Sequence, residues 1–321
     1  MGTPFDAAFI ASIASTTAEK MIDCMTSDAA RCTFTLLLVG LSQWTRRDPL
    51  PKSPGVTRQF HKMHGLENDF VVLDGRSEPI AMTPALAKAL SDRRTGIGCD
   101  QLILLEPSEI ADLRMRIWNQ DGSEVESCGN ASRCVVALTG AARIETVGGI
   151  VEGAASGDSV EITLPAPRFE WDAIPLAYPM DTARLPMAWG PLEHPMALSV
   201  GNPHVAFFVD DPHTIDLAEL GPAIERDPAF PERINVNVAS VTDGCITLRT
   251  WERGAGLTRA CGTGACATGV AAIAQKRATS PVTVDMPGGS LVIDWAPGEP
   301  IRMRGAATHV YSGEIDLETF A

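Results

Sequence analysis

Two stretches of the chain set pairs of thiols among some of the smallest residues available. "TRACGTGACATG" (258–269) carries Cys261 and Cys266, and "ESCGNASRCVVA" (126–137) carries Cys128 and Cys134. In both, the first cysteine is followed by glycine and then by an apolar, alanine-containing run, the composition of a buried helix. Cys128 and Cys261 then fall at helix starts, where free backbone N–H groups and the positive end of the macrodipole favour an anion. A thiol so placed is expected to titrate one unit or more below its free value of about 8.5, in the range of a proton-abstracting base near neutral pH. Cys134 and Cys266 lie farther into the runs, where packing as small hydrophobes is the expectation.

Other chemistries fit less well. Structural zinc sites favour C-x2-4-C pairs, whereas these spacings are C-x5-C and C-x4-C with no adjoining histidine pattern, so no metal is expected. "GTGACA" (262–267) matches a G-x-G-x-x-A dinucleotide fingerprint, and Asp285 stands about where a ribose-binding acid would. Such a fingerprint should follow its strand at once, yet "RGAGLTRAC" intervenes after Glu252. No G-x-S-x-G, Walker A or H-E-x-x-H stretch is present.

The elements that position the thiols are duplicated. Placing Cys128 over Cys261 brings Arg116 onto Arg249, Trp118 onto Trp251 and Gly129 onto Gly262, an offset of 133 residues. Upstream, "NDFVVLD" from Asn68 and "NPHVAFFVD" from Asn202 set an asparagine before a strand-like run, 60 and 59 residues ahead of the respective cysteine. "LRMRIW" and "ITLRTW" alternate apolar and polar residues, the period of a half-buried strand. "VEITLP", "VTVDMPGG" and "LVIDWAPG" add short strands between turn signals. The predicted class is α+β: two pseudo-symmetric domains, each a mostly antiparallel, barrel-like sheet around a central buried helix.

Composition bounds the partners. A chain of 321 residues, 45% of them hydrophobic, can bury a substantial core. Its net charge of −14 argues against nucleic acid, whose phosphates require a basic surface. Eight cysteines without a secretory signal read as reduced thiols, hence a cytoplasmic location. The apolar run "FTLLLVGL" (34–41) is too short to cross a bilayer, so no membrane partner is expected. Residues 1–55 end in a linker-like "RRDPLPKSPG" and are expected to be a disordered extension, with folding from about Val56. A chain starting at Val56 should keep its fold and activity; loss of either on truncation would refute this.

From about Phe60 onward the motifs resemble the diaminopimelate epimerase family. They are "FHKMHGLENDFVVLD", "GIGCDQLILLEP", "MRIWNQDGSEVESCGNASRC", "GNPHVAFFVDD", "PERINVNVA" and "WERGAGLTRACGTGAC". The resemblance implies epimerisation of LL-diaminopimelate to meso-diaminopimelate for lysine and peptidoglycan-precursor synthesis, with neither pyridoxal phosphate nor another cofactor. It implies domains at 57–172 (joined by 308–321) and 173–307, the substrate between them, and Cys128 and Cys261 on opposite faces of one Cα. Asn68, Gln101, Asn119, Asn202, Asn235 and Arg253 would then hold the substrate's polar ends. Gly129, Asn130, Gly262 and Thr263 would form a backbone cradle, and His204 and Glu252 would stand beside the thiols.

The chain departs from the family in two places: Glu67 stands where glycine is usual, and "CGNASR" replaces the frequent "CGNGAR". If position 67 is left-handed, Glu there costs roughly 1 to 2 kcal/mol and threatens the placement of Asn68. A proline or hydroxyproline racemase of the same fold, or a silent binding homologue, is the alternative to a diaminopimelate epimerase. A small amino-acid substrate is the expected partner, and a homodimer the assembly to test.

Overall fold

The computed structural model describes residues 57–126, 128–157 and 159–320, and the expectation for residues 1–55 lies outside them. The first copy runs β1 (Thr57–Gly65), β2 (Asn68–Asp74), α1 (Pro84–Ser91), β3 (Gln101–Glu106), β4 (Leu113–Asn119), β5 (Glu124–Val125), α2 (Gly129–Thr139), β6 (Arg143–Thr146), β7 (Gly149–Ser156) and β8 (Ser159–Leu164). A short hairpin follows, β9 (Ala188–Trp189) with β10 (Leu192–Glu193). The second copy repeats the order: β11 (Met196–Ser199), β12 (Pro203–Phe208), α3 (Leu217–Glu225), β13 (Asn235–Thr242), β14 (Cys245–Glu252), β15 (Gly256–Thr258), α4 (Gly262–Ala274), β16 (Val282–Met286), β17 (Gly289–Asp294) and β18 (Ile301–Ala306). β19 (Thr308–Asp316) closes the chain.

Pairing is duplicated as well as order. In the first copy β2 lies parallel to β3, and β3 antiparallel to β4. In the second β12 lies parallel to β13, and β13 antiparallel to β14. Leu102 faces Trp118 and Leu104 faces Arg116 across β3 and β4, as Val236 faces Trp251 and Val238 faces Arg249 across β13 and β14. The copies are joined where β18 pairs antiparallel with β8, and β19 returns to pair antiparallel with β1. One parallel pairing recurs late in each copy, β4 with β6 and β14 with β16. A parallel pair needs a crossover rather than a hairpin, and α1, α2, α3 and α4 are those crossovers. The sheet is otherwise antiparallel, as the alternating strands implied.

Each crossover helix has a physical start and stop. α1 is capped by Thr83, whose hydroxyl accepts from Leu86 N at 3.1 Å, and α3 by Asp216, which accepts from Glu219 N at 3.1 Å. α2 ends at Gly140, which takes the left-handed conformation (φ 72°) and donates its N–H to Val136 O. α2 packs against β1, β7 and β8, and α4 against β12, β13 and β17. α4 is buried from Gly264 through Ala272, so its small side chains serve close approach on every face. A Cβ on Gly269 would stand 3.0 Å from Ile293, too tight for a larger residue without movement. Ala131, one of the departures from the family pattern, is fully buried inside α2 and leaves the helix intact.

The other departure sits in the turn between β1 and β2. Gly65 pairs with Asn68, so the loop is the two residues Leu66 and Glu67, both left-handed (φ 57° and 66°). Two-residue hairpins require this backbone and normally place Asn or Gly there. Asn68 nevertheless opens β2 in register. Leu66 is buried against Gly289, and Glu67 accepts from Arg259 Nε in an exposed pair, 51% and 66% accessible. Exposed pairs contribute about 0 to 1 kcal/mol, and relieving a left-handed glutamate returns about 1 kcal/mol. Glu67→Gly is therefore expected to leave Tm unchanged or raised by a few degrees and to preserve turnover. A large fall in activity with an intact fold would show that Glu67 has a role of its own.

Candidate active site

The parallel pairs explain why residues scattered over the chain converge. Parallel β2 and β3 begin at the same sheet edge, where antiparallel β4 ends, which aligns Asn68, Gln101 and Asn119. The second copy aligns Asn202, Asn235 and Glu252 by the same rule at the starts of β12 and β13 and the end of β14. Arg253 follows at once. Its backbone N–H donates to Asn235 Oδ1 at 2.9 Å, while its exposed guanidinium reaches Glu232 O. Gln101 Nε2 donates to Asn119 Oδ1 at 3.0 Å, and Gln101 Oε1 is buried without a partner among the described residues.

Cys128 and Cys261 are the N-cap residues of α2 and α4. Cys261 Sγ accepts from Gly264 N at 3.3 Å and lies 3.6 Å from Thr263 Oγ1. Cys128 Sγ lies 3.9 Å from Asn68 Oδ1. The two helix starts nearly touch: a Cβ on Gly262 would stand 3.4 Å from Asn130 Oδ1 and 3.4 Å from Met303. One on Gly129 would stand 2.8 Å from Met303 Cε. A Cβ at Gly129 would have to displace the Met303 methyl, whereas one at Gly262 would meet its neighbours at ordinary van der Waals distance, so the two starts lie close together and the small residues suit that approach.

The expectation of acidified thiols is overturned. Burial pushes both Cys128 and Cys261 above the ordinary thiol range, Cys261 strongly, and the negative charge of Glu252 adds to both. The helix-start donors act as anticipated, with N–H groups of Ala131 and Asn130 on Cys128 and of Gly264 on Cys261, but they do not offset the loss of water. Burial likewise raises Glu252 itself.

His204 is fully buried and hydrogen-bonds to neither thiol. Its Nδ1 lies 3.1 Å from Asn237 Nδ2, an amide nitrogen that also donates to Val205 O. A carbonyl only accepts, so Asn237 presents NH2 to the ring, Nδ1 is the acceptor, and Nε2 carries the proton. Nε2 donates to Asn202 Oδ1 at 2.9 Å, and Asn202 Nδ2 reaches Thr263 Oγ1 at 3.4 Å. Thr250 Oγ1 completes the chain by donating to Asn237 Oδ1 at 3.1 Å. Burial holds His204 down at about 3, so it stays neutral and fixes the Asn202 amide.

Sequence reasoning left out Arg133, Asn237, Thr250 and Asp100. Asn237 was findable as a second asparagine two positions after Asn235 in a mostly apolar strand, hence on the same face. Arg133 is fully buried, and among the described residues no carboxylate pairs with it; it donates to Asn130 Oδ1 at 2.9 Å. Nothing in "CGNASRC" signals that burial. Cys134 and Cys266 pack in the core as expected. The dinucleotide reading fails, because Gly262 and Gly264 are buried helix residues and a Cβ on Gly264 would stand 2.6 Å from Asn237 Oδ1. Asp285 instead accepts from Cys245 Sγ and Ser290 Oγ. Among the described residues no group of three or more His, Cys, Asp or Glu is arranged to hold a metal ion, and no helix is long and apolar enough to cross a membrane.

Comparison with known proteins places the fold and the family. At the level of fold, a hydroxyproline epimerase from Agrobacterium vitis covers 81% of this chain and 91% of its own, with TM-score 0.54 and 18% identity. A phenazine biosynthesis protein of the PhzF family from Bacillus anthracis covers 81% and 99%, with TM-score 0.56 and 15% identity. In sequence, diaminopimelate epimerases are far nearer. That of Rhizorhabdus wittichii is 63% identical over 82% of this chain and 97% of its own. That of Zymomonas mobilis is 53% identical over 83% of this chain and 100% of its own. The family model for diaminopimelate epimerase matches residues 60–165 and 196–310, and the chain belongs to that family.

Proposed function

We propose that the protein epimerises LL-diaminopimelate to meso-diaminopimelate by a two-base mechanism, in the service of lysine and peptidoglycan-precursor synthesis. The observation that carries the reading is the pair of thiols capping two equivalent helices whose starts meet across the duplication. The substrate lies between the halves 57–172 (with 308–321) and 173–307. One cysteine, as thiolate, takes the α-proton from one face; the opposite thiol gives its proton to the other face, and the centre is inverted. The electron pair left on Cα is stabilised by the backbone N–H groups of the two helix starts, acting on the α-carboxylate.

Both thiols are neutral in the free protein, so the thiolate must form with substrate in place. A substrate ammonium beside Glu252 opposes the charge that raises both thiols, and the partnerless Gln101 Oε1 is an acceptor of the kind an ammonium satisfies. Asn68, Asn119, Asn202, Asn235 and Arg253 hold the remaining polar ends, Gly129, Asn130, Gly262 and Thr263 line the cradle, and His204 fixes Asn202. No nucleic acid, membrane, metal or cofactor takes part in this reading; a cytoplasmic homodimer is its expected form, checked by sedimentation. Chiral separation of products from LL-diaminopimelate and from L-proline tests the substrate. Turnover of proline alone would assign the chain to the racemase alternative, and turnover of neither to a binding role.

A further inference from the structure

Asp100 lies outside every role assigned above, yet it ends a directed chain of hydrogen bonds at Cys128. Arg133 Nη2 donates to Asn130 Oδ1 at 2.9 Å, Asn130 Nδ2 to Asn68 Oδ1 at 3.3 Å, and Asn68 Nδ2 to Asp100 Oδ2 at 3.1 Å. A guanidinium only donates and a carboxylate only accepts. The two charged ends therefore fix the orientation of both amides between them, and the Asn68 carbonyl oxygen is left facing Cys128 Sγ at 3.9 Å.

Asp100 is itself held rigidly. Its Oδ2 also accepts from Asp69 N at 3.0 Å, its Oδ1 from Arg93 at 2.7 Å, and its own N–H donates to Asp69 Oδ1 at 3.1 Å. Lys62 joins from β1, donating to Asp69. The equivalent asparagine of the second copy is turned the other way: Asn202 Oδ1 is taken by His204, and its NH2 faces the Thr263 hydroxyl beside Cys261. Equivalent asparagines thus present opposite ends of the amide towards the two thiol sites.

We infer that Asp100 is a positioning residue which turns the Asn68 carbonyl onto Cys128 and so favours the S–H form of that cysteine in the resting enzyme. The carbonyl accepts the thiol proton and offers nothing to a thiolate, unlike the backbone N–H groups at the two helix starts. The inference rests on the epimerase reading for its purpose, but the state of Cys128 is measurable without turnover. The other groups acting on Cys128 are the N–H groups of Asn130 and Ala131, the Glu252 carboxylate and the Arg133 guanidinium, and Asp100 hydrogen-bonds to none of them, its partners being Asn68, Asp69 and Arg93.

The test is the rate of Cys128 alkylation by iodoacetamide against pH in a Cys261→Ala background, with the site assigned by peptide mass spectrometry. Asp100→Ala removes the acceptor, frees the Asn68 amide to turn its NH2 onto the sulfur, and is expected to lower the midpoint by half a pH unit or more. That is about threefold faster labelling at a fixed pH below the midpoint. Asp100→Asn, whose oxygen is kept on the inner side by the Asp69 N–H, should retain the parent midpoint. If Asp100→Ala does not fold, Asn68→Ala serves in its place and should shift the midpoint the same way. An unchanged midpoint in the folded alanine variant overturns the inference, as do equal shifts in Asp100→Ala and Asp100→Asn, which would assign the effect to charge alone. Failure of the parent enzyme to turn over diaminopimelate would instead strike the functional reading and leave these midpoints as they are.

Discussion

Cys128→Ala and Cys261→Ala are each expected to abolish epimerisation, with a loss of about 10³-fold or more in kcat. Inversion needs an acceptor on one face of Cα and a donor on the other, and each thiol caps a helix from a different half. Among the described residues, His204 is neutral and committed to Asn202 and Asn237, and Glu252 bears on both thiols from a single position, so neither supplies a second base on the opposite face. In heavy water the unmodified enzyme should place deuterium in product early while recovered substrate carries little, because the returning proton comes from the opposite thiol. Cys134→Ala and Cys266→Ala are the controls. Both residues are fully buried in the core, so they should alter stability and leave the isotope pattern intact. Substantial epimerisation by either single variant of Cys128 or Cys261, free of contaminating enzyme, would sink the two-base assignment.

The second large effect is on stability at alkaline pH. Burial pushes the Cys134 and Cys266 thiols up to about 12, well above the ordinary thiol range. A raised thiol means the unfolded chain loses its proton first, so the stability present below pH 9 is lost as pH rises from 9 towards 12. Each such group contributes a slope of about 1.4 kcal/mol per pH unit, and the two together about 2.7 kcal/mol. Cys128 and Cys261 act in the same direction. Urea midpoints measured at pH 8, 9, 10 and 10.5 should therefore fall steeply above pH 9. The double variant Cys134→Ala, Cys266→Ala should start lower at pH 8, because core volume is lost, and then decline less steeply. Equal slopes for the two proteins would show that Cys134 and Cys266 are not what titrates.

Much of this protein is written locally. The alternation in "LRMRIW" and "ITLRTW", the small apolar runs after each Cys-Gly, and the 133-residue offset are short-range signals, and they yield β4, β14, α2, α4 and the duplication that relates them. The departure at Glu67 shows in the sequence only against the glycine usual in the family, and the structure supplies its reason: a two-residue turn whose residues are both left-handed. What the sequence did not decide is the electrostatic state of the thiols. The helix-start donors are local and act as the residues imply, but desolvation depends on everything packed around the sulfur, including Glu252 and the opposing half. Solvent exclusion is a property of the assembled interior, and there it outweighs the few N–H groups the helix provides. The directed chain from Arg133 through Asn130 and Asn68 to Asp100 is tertiary for the same reason. Its members come from α2, β2 and the residue before β3, and only their approach at one sheet edge fixes which end of each amide faces the sulfur.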